Sequence, residues 1–530
     1  MNTKLLSGSL LPAVLLTTSL SSCTKQPVVP KQMNIIHIMT DDHAFQAISA
    51  YGHPLSQLAP TPNIDRLAQR GVLFRNAYVE NSLSTPSRAC LLTGLYSHQN
   101  GQTMLDNVLD TSVTFVPELL QEAGYPTGMI GKWHMLCEPR GFDEYKIFRN
   151  QGEYYNPGIK TADTNGEYVP EEGYATDLVT KHAIDFLEKR DPNKPFCLYV
   201  HHKAPHRNWM PDIKYLDLYE DIDFPVPSTF YDDYNHRGCA AKQQRMSIDK
   251  DMSMIFDLKL YGYDGSECKE NLDPYGEDML QRMTKEQREA WDAAYAKKNA
   301  WMLANIDKMS HEEIVRWKFQ RYVKDYLRVI KSVDDSVGEI LDYLEKNNLM
   351  DNTIIVYTSD QGFYMGEHGW FDKRFMYEES FRTPLIISYP GMKGGVESTT
   401  LVQNIDFAPT YLAAAGIEKP ANMSGLSLIP VLQNNGQRPA DWREYLYYHF
   451  YDHTAEHNVM RHDGVFNLRY KYIHFYDETG KEPGYDEFFD LQEDPSEMYN
   501  AINDVRYKQE VEELRKQLDK MRTDLKVEEF

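Results

Sequence analysis

Asn34-Ile35-Ile36-His37-Ile38-Met39-Thr40-Asp41-Asp42 is the stretch from which the fold can be read. An apolar, β-branched run without polar alternation reads as a strand covered on both faces. Two acids close it. The same pattern returns at Thr353 to Thr358, closed by Ser359-Asp360-Gln361-Gly362. Further strands are expected at Thr127 to Ile130, after the Gly124-Tyr125-Pro126 turn, at Phe196 to Val200 and at Pro384 to Ser388. Helical spacing marks 174–190 through Leu178, Ala183, Phe186 and Leu187. It also marks about 318–347, with Val323, Leu327, Ile330, Val333, Val337, Leu341 and Leu344 on one side. Strands alternating with helices predict an α/β domain with a large, mainly parallel sheet sandwiched by helices. Ligand sites in such sheets gather at strand C-termini, where these polar clusters fall.

After about residue 435 the pattern changes. Glu444 to Tyr451 and Phe466 to Phe475 are aromatic, strand-like runs, followed by a charged helix near 506–525. A main domain over 33–435 and a smaller C-terminal α+β domain with an antiparallel sheet over 436–530 are expected. Residues 207–315 read as a polar insertion with weak periodicity, lying over the site.

A chain of 530 residues is too long for one small core, and its hydrophobic fraction of 42% is that of a globular protein. Net charge is −23, which argues against nucleic acid or an anionic membrane surface as partner, so any anion site must be a local basic cluster. Residues 1–22 read as an export signal: Lys4, an apolar run from Leu5 to Leu20, and Leu20-Ser21-Ser22-Cys23. That ending resembles the bacterial lipoprotein signal, with lipid on Cys23, a linker over 23–32 and an exported protein tethered at the cell envelope. The other cysteines, Cys90, Cys137, Cys197, Cys239 and Cys268, lack the Cys-x-x-Cys spacing of zinc or redox motifs; disulfides and buried free thiols both stay open.

Ser84-Thr85-Pro86-Ser87-Arg88-Ala89-Cys90-Leu91-Leu92-Thr93-Gly94 carries the chemistry. Pro86 is tolerated in a helix's first turn. Ser84 is therefore expected just ahead of a helix N-terminus, where free N–H groups and the helix dipole favour an anion. Arg88 lies about one turn on and can turn back toward it. An ordinary capped helix is the plainer alternative. The Asp41-Asp42 and Asp360-Gln361 pairs, oxygen-only ligands with several carboxylates and no His or Cys, suit a hard cation such as Ca²⁺ or Mg²⁺. Turn-forming Asp is the alternative there.

The Ser84 segment resembles the signature of the type I sulfatases: Cys or Ser, then X-Pro-Ser-Arg, then Leu-Thr-Gly. The resemblance implies an alkaline-phosphatase-like α/β fold and oxidation of Ser84 to formylglycine by a radical maturation enzyme. It implies that Asp41, Asp42, Asp360 and Gln361 bind one Ca²⁺ together with position 84; Gln361 stands where many relatives have Asn or His. Gly131-Lys132-Trp133-His134 is similar to the family's Gly-Lys-Trp-His block, with Lys132 on a sulfate oxygen and His134 on the formylglycine hydroxyl. In Lys203-Ala204-Pro205-His206, His206 would protonate the leaving oxygen. In His368-Gly369-Trp370-Phe371-Asp372-Lys373, Lys373 matches the second sulfate-binding lysine. Arg88, Lys132 and Lys373 then form the basic cluster. His201 and His202 are expected to pack.

Lys203 to Pro211, Phe230 to Tyr234, Met246 to Met252 and Tyr447 to Tyr451 resemble bacterial relatives of N-acetylglucosamine-6-sulfatase, the mucin-desulfating type. This implies a 6-O-sulfated N-acetylglucosamine from heparan, keratan or mucin glycans as substrate, with Asp372, Arg374, His457 and Arg461 selecting the sugar. Alternatives are a sulfatase for 2-O-sulfated uronate or for 4-O- or 6-O-sulfated galactosamine, a metal-dependent phosphatase or phosphodiesterase, and an inactive glycan-binding lipoprotein.

Overall fold

The computed structural model of the protein describes residues 32–110, 112–263, 279–453, 456–477 and 484–528. The expected export signal, Cys23, the linker up to Lys31 and Cys268 lie outside the described residues. Among the described residues, no helix is long and apolar enough to cross a membrane.

The main sheet has ten strands in the spatial order Val396–Ser398, Val72–Phe74, Leu385–Ser388, Thr353–Ser359, Asn34–Thr40, Cys197–His201, Thr127–Gly131, Glu144–Phe148, Gly158–Lys160 and Val169–Pro170. The five from Thr353–Ser359 to Glu144–Phe148 run parallel. Leu385–Ser388 and Gly158–Lys160 pair antiparallel at the two flanks. The sheet is thus mixed and mainly parallel, as expected.

Side chains of the central strand alternate between two cores because successive Cβ atoms point to opposite faces. Ile36 and Ile38 join one core with Ala183 of the Ala175–Lys189 helix and Val337 of the His311–Lys346 helix. Ile35 and Met39 join the other with Leu91 of the Ser84–Thr93 helix, Val116 and Tyr411. Both faces are covered, which is why the strand carries no polar alternation.

Register places the site. Thr40 is opposite Ser359, and Met39 is opposite His201. Gly131 is also level with His201. Asp41, Asp360, Lys132 and His202 therefore leave the sheet at one level, on its C-terminal edge.

The long helix starts seven residues before its expected beginning. Ser310 caps it: Glu313 N–H donates to Ser310 Oγ at 3.3 Å, and Ser310 N–H donates to Glu313 Oε2 at 2.7 Å. Its first turn is charged and exposed, so apolar spacing does not reveal it. The insertion holds a real helix, Lys285–Asn305, whose Trp291, Tyr295, Asn299 and Met302 are buried. Spaced by three or four residues among Ala and Lys, they give only a weak signal.

The C-terminal sheet is antiparallel, in the order Leu446–Phe450, His462–Phe466, Tyr470–Phe475, Tyr485–Asp490. The expected run Phe466 to Phe475 is in fact the end of one strand and the whole of the next. Asn467 makes the turn: its N–H donates to Tyr470 O at 3.1 Å, and its side chain accepts from Tyr470 N–H at 2.8 Å. The Lys508–Asp524 helix covers this sheet through Val511, Leu514 and Leu518. Cys90, Cys137, Cys197 and Cys239 are free thiols.

Candidate active site

Ser84 is the first residue of its helix, not the residue ahead of it; Leu83 is the N-cap. The helix ends at Gly94, whose φ of +66° is a left-handed cap that glycine adopts without strain. All ten helical residues are buried, so the hydroxyl is fixed inside the protein.

Ser84 Oγ donates to Asp41 Oδ1 at 3.1 Å and accepts from Gln361 Nε2 at 3.4 Å. Gln361 Nε2 also donates to Asp42 Oδ1 at 2.6 Å, and Asp42 N–H donates to Asp360 Oδ1 at 3.1 Å. The serine thus contacts one carboxylate and one amide, which a chain of hydrogen bonds extends to Asp42 and Asp360, all buried. Arg88 Nη2 pairs with Asp360 Oδ2 at 2.9 Å. Lys132 Nζ contacts Asp41 and Gln151, and Lys373 Nζ pairs with Asp42 at 2.8 Å. His206 Nε2 lies 3.8 Å from Asp42 Oδ2. His134 Nδ1 lies 3.4 Å from Thr85 Oγ1, beside Ser84. The structure therefore joins Ser84, Arg88, Lys132, His206, Lys373, Asp41, Asp42, Asp360 and Gln361 in one contact network.

Electrostatics follow from this crowding. Burial works against ionising Asp41, yet Lys132, Arg88 and Lys373 outweigh it and hold the carboxyl well below its usual range. Burial pushes Asp42 up to about 7, with Lys373 opposing and Asp41 and Asp360 adding repulsion. Burial and the Asp41 charge raise Asp360 to about 6. Acids that repel one another in a dry site call for a cation. Gln361 Oε1 is buried without a hydrogen-bond partner. Half a turn of that amide, whose two ends are assigned by hydrogen bonding, presents a carbonyl oxygen to the acids. An all-oxygen donor set of this kind fits a hard divalent ion such as Ca²⁺. Oxygen atoms of Asp41 and Asp42 and a nitrogen of His206 lie within 4.8 Å of one another.

Ser84, His206 and Lys373 open into a cleft of about 160 Å³. Asp372 and Arg374 also line it and contact each other. His457 Nε2 stands 3.3 Å from Asp372 Oδ2 behind them. Arg461 is elsewhere. It donates to His449 Nε2 at 3.2 Å, stacks 4.5 Å from the Tyr476 ring centroid and lines a different depression with Asp519 and Arg522. His201 and His202 are buried against Arg88 and Ser336, as expected for packing groups.

Sequence reasoning assigned no role to Gln151, Tyr154, Lys203, Arg207 or Glu456, which also line the cleft. Lys203 lies in the Lys-Ala-Pro-His block and Glu456 precedes His457, so proximity was a usable signal for both. Gln151 and Tyr154 come from a loop with no chemical pattern.

Comparison with known proteins accords with this geometry. Residues 33–417 match the sulfatase family, and residues 366–524 match the C-terminal region of N-sulphoglucosamine sulphohydrolase. An N-acetylglucosamine-6-O-sulfatase of Bacteroides thetaiotaomicron is 46% identical over 508 residues, 94% of this chain and 88% of that protein. A solved structure of a protein in complex with its substrate D-glucosamine-2-N,6-O-disulfate superposes with TM-score 0.87 at 46% identity, covering 93% of this chain and 98% of that one. A phosphonate monoester hydrolase from Silicibacter pomeroyi, TM-score 0.67 at 19% identity over 93% of this chain and 96% of that one, shares the fold alone. With the family pattern spanning most of its length and a near relative of almost the same extent, the chain belongs to the sulfatase family.

Proposed function

We propose that this sulfatase removes the 6-O-sulfate of an N-acetylglucosamine or N-sulfated glucosamine unit of a glycosaminoglycan or mucin glycan. It would use formylglycine made from Ser84 and one Ca²⁺. The observation that carries the reading is the Ser84 hydroxyl held by Asp41 and Gln361 in the lining of a cleft that Lys373 and His206 share. The relative bound to a 6-O-sulfated glucosamine supports the choice of sugar.

Asp41, Asp42, Asp360, Gln361 and position 84 would hold the ion, which when bound neutralises the acids and polarises sulfate oxygens. Formylglycine, once hydrated, supplies two hydroxyls, one to take sulfur and one to let sulfate go. The chain's own residues do the rest. Lys132 and Lys373 neutralise sulfate oxygens and stabilise charge in the transition state. Arg88 holds the position-84 helix against the Asp360 strand end. Burial, opposed by Asp41 but aided by Lys132, Lys373 and Lys203, keeps His206 neutral without substrate. An arriving sulfate ester offsets those lysines, so His206 can hold the proton that the sugar oxygen takes. Burial, Lys132 and Arg88 likewise keep His134 neutral, ready to accept a proton. Asp372, Arg374 and His457 would orient the sugar hydroxyls.

The protein would be exported and lipid-anchored through Cys23. Radiolabelled fatty acid should enter the wild type and not Cys23→Ala. The central test is the mass of the peptide bearing residue 84 from a host with a serine-type maturation enzyme. Conversion should make it about 2 Da lighter, two hydrogens lost. Matured protein should prefer the 6-O-sulfated sugar in a panel of singly sulfated saccharides. A preference for 2-O-sulfated uronate or 4-O-sulfated galactosamine would overturn the substrate, and full turnover by unmodified serine would overturn the mechanism.

A further inference from the structure

Three lysines reach this cleft region, and they are not placed alike. Lys132 and Lys373 each end on a carboxylate of the acid cluster. Lys203 does not. Among the described residues its ammonium makes no hydrogen bond or ion pair, and its contact is the face of Tyr154, 4.8 Å from Nζ to ring centroid. The residue is only 6% exposed, and it lines the cleft. An ammonium carries three donors. Keeping it largely out of water without acceptors costs free energy. The cation–π contact offsets that cost in part, by about 0.5–2 kcal/mol. Burial and the charge of Lys132 depress its pKa to about 8, the response of a cation short of partners.

Its place on the chain says which part of a substrate it meets. Lys203 O accepts from His206 N–H at 3.0 Å, so the two residues share one turn. The Tyr154 hydroxyl donates to His206 O at 2.5 Å while its ring carries the Lys203 ammonium. One tyrosine therefore holds both groups on the same wall. That wall adjoins the acid cluster, since His206 Nε2 lies 3.8 Å from Asp42 Oδ2, but Lys203, unlike Lys132 and Lys373, ends on no carboxylate of it.

Resting on the sulfatase reading, we propose that Lys203 is a further catalytic residue, whose ammonium donates a hydrogen bond to the sugar oxygen that leaves sulfur. In that step the bond between sulfur and the sugar oxygen breaks, and its electron pair stays on the oxygen. Sulfur bonds instead to the oxygen nucleophile at position 84, whose proton passes to the Asp41 carboxylate that accepts from it. The sugar oxygen takes its proton from His206, and Lys203 keeps all of its own. Negative charge appears on that oxygen only as the bond breaks, so a fixed ammonium there stabilises the transition state more than the bound ester.

The test compares matured wild type with Lys203→Met, which keeps the stem, and Lys203→Arg, which keeps the charge. The substrate is 6-O-sulfated N-acetylglucosamine. Loss of one electrostatic donor should lower kcat of Lys203→Met by about 10²-fold, leave KM within about threefold, and leave inhibition by inorganic sulfate unchanged. Lys203→Arg should recover at least about tenfold of the loss. Unchanged kcat in Lys203→Met overturns the proposal. So does a loss confined to KM together with weaker inhibition by inorganic sulfate, since the ammonium would then grip the sulfate itself. If Lys203→Met fails to fold, Lys203→Gln makes the same comparison. Wild type with confirmed formylglycine and no turnover of this sugar would fail the substrate reading, which is a different result from either of these.

Discussion

Arg88 bridges two strand ends. Its Nη2 stands 2.9 Å from Asp360 Oδ2, and its Nη1 donates to Lys132 O at 2.8 Å. The guanidinium grows from the helix that begins with Ser84. It thus ties that helix to the end of Thr353–Ser359 and to the residue after Thr127–Gly131. A fork of donors can do this; a single ammonium cannot reach both partners.

Arg88→Lys should therefore be a severe change despite its conserved charge. Breaking one side of a buried pair costs about 3–5 kcal/mol. We expect a lower Tm and a fall in kcat of at least about 10²-fold. Wild-type kcat and Tm in this variant would show that the bridge does not organise the site.

Asp360→Asn should remove one acid from the proposed ion site without changing its shape. Metal analysis of the purified variant should find less than one Ca²⁺ per chain, against one in the wild type. A chelator should inactivate the wild type, and added Ca²⁺ should restore it. Full occupancy in the variant would move the site elsewhere.

Asp372→Asn and Arg461→Ala should differ sharply. Asp372 lines the cleft and pairs with Lys373, Arg374 and His457, so its loss should cut kcat/KM by about 10²-fold, about 3 kcal/mol of transition-state binding. Arg461 stacks on Tyr476 away from the cleft, so its loss should change kcat/KM by less than about twofold. Equal losses in steady-state assays would mean that Arg461 reaches the sugar after all.

Glu80 should make the fold less stable as pH rises. Burial pushes its carboxyl from 4.5 up to about 7, against the hydrogen bonds from Cys90 and Ser97. The folded state then holds the proton more tightly than the unfolded one. Its contribution to stability falls between about pH 4.5 and about pH 7, by on the order of 3 kcal/mol. The stability difference between Glu80→Gln and the wild type should move in the variant's favour across that range, leaving the variant more stable at pH 8. Urea titrations across this range check it, and a difference that stays constant with pH would refute it.

Gly94→Ala should destabilise by at least about 1 kcal/mol, since a Cβ is strained at φ +66° and would lie 2.5 Å from Met423 Cγ. Enlarging this cap also shifts the helix that carries position 84, so kcat should fall with Tm. Loss of neither in calorimetry and assay would contradict the cap's role.

The central strands and their closing acids were legible because a strand buried on both faces must be continuously apolar, and the register of parallel neighbours then aligns their ends. The Ser-x-Pro-Ser-Arg segment was legible through its resemblance to the sulfatase signature; helix-start chemistry alone left an ordinary capped helix open and set the helix start one residue late. Less legible were elements without apolar contrast. The start of the long helix at His311 is charged, and the Lys285–Asn305 helix spaces its few buried side chains among Ala and polar residues. The aromatic run at 466–475 hid an Asn-led turn, because strand-forming side chains stand on both sides of it.

By itself the sequence determined which acids and lysine follow the strand ends, that a serine stands at a helix start, and that the chain as a whole is acidic. Only the tertiary structure decided which of them meet. Arg461 and His457 are four residues apart, yet the first turns to the C-terminal helix and the second to Asp372. Lys203, Tyr154 and His206 became neighbours across a gap of some fifty residues. Local propensity records what one stretch of chain prefers; proximity between distant stretches depends on how sheet and loops close over one another.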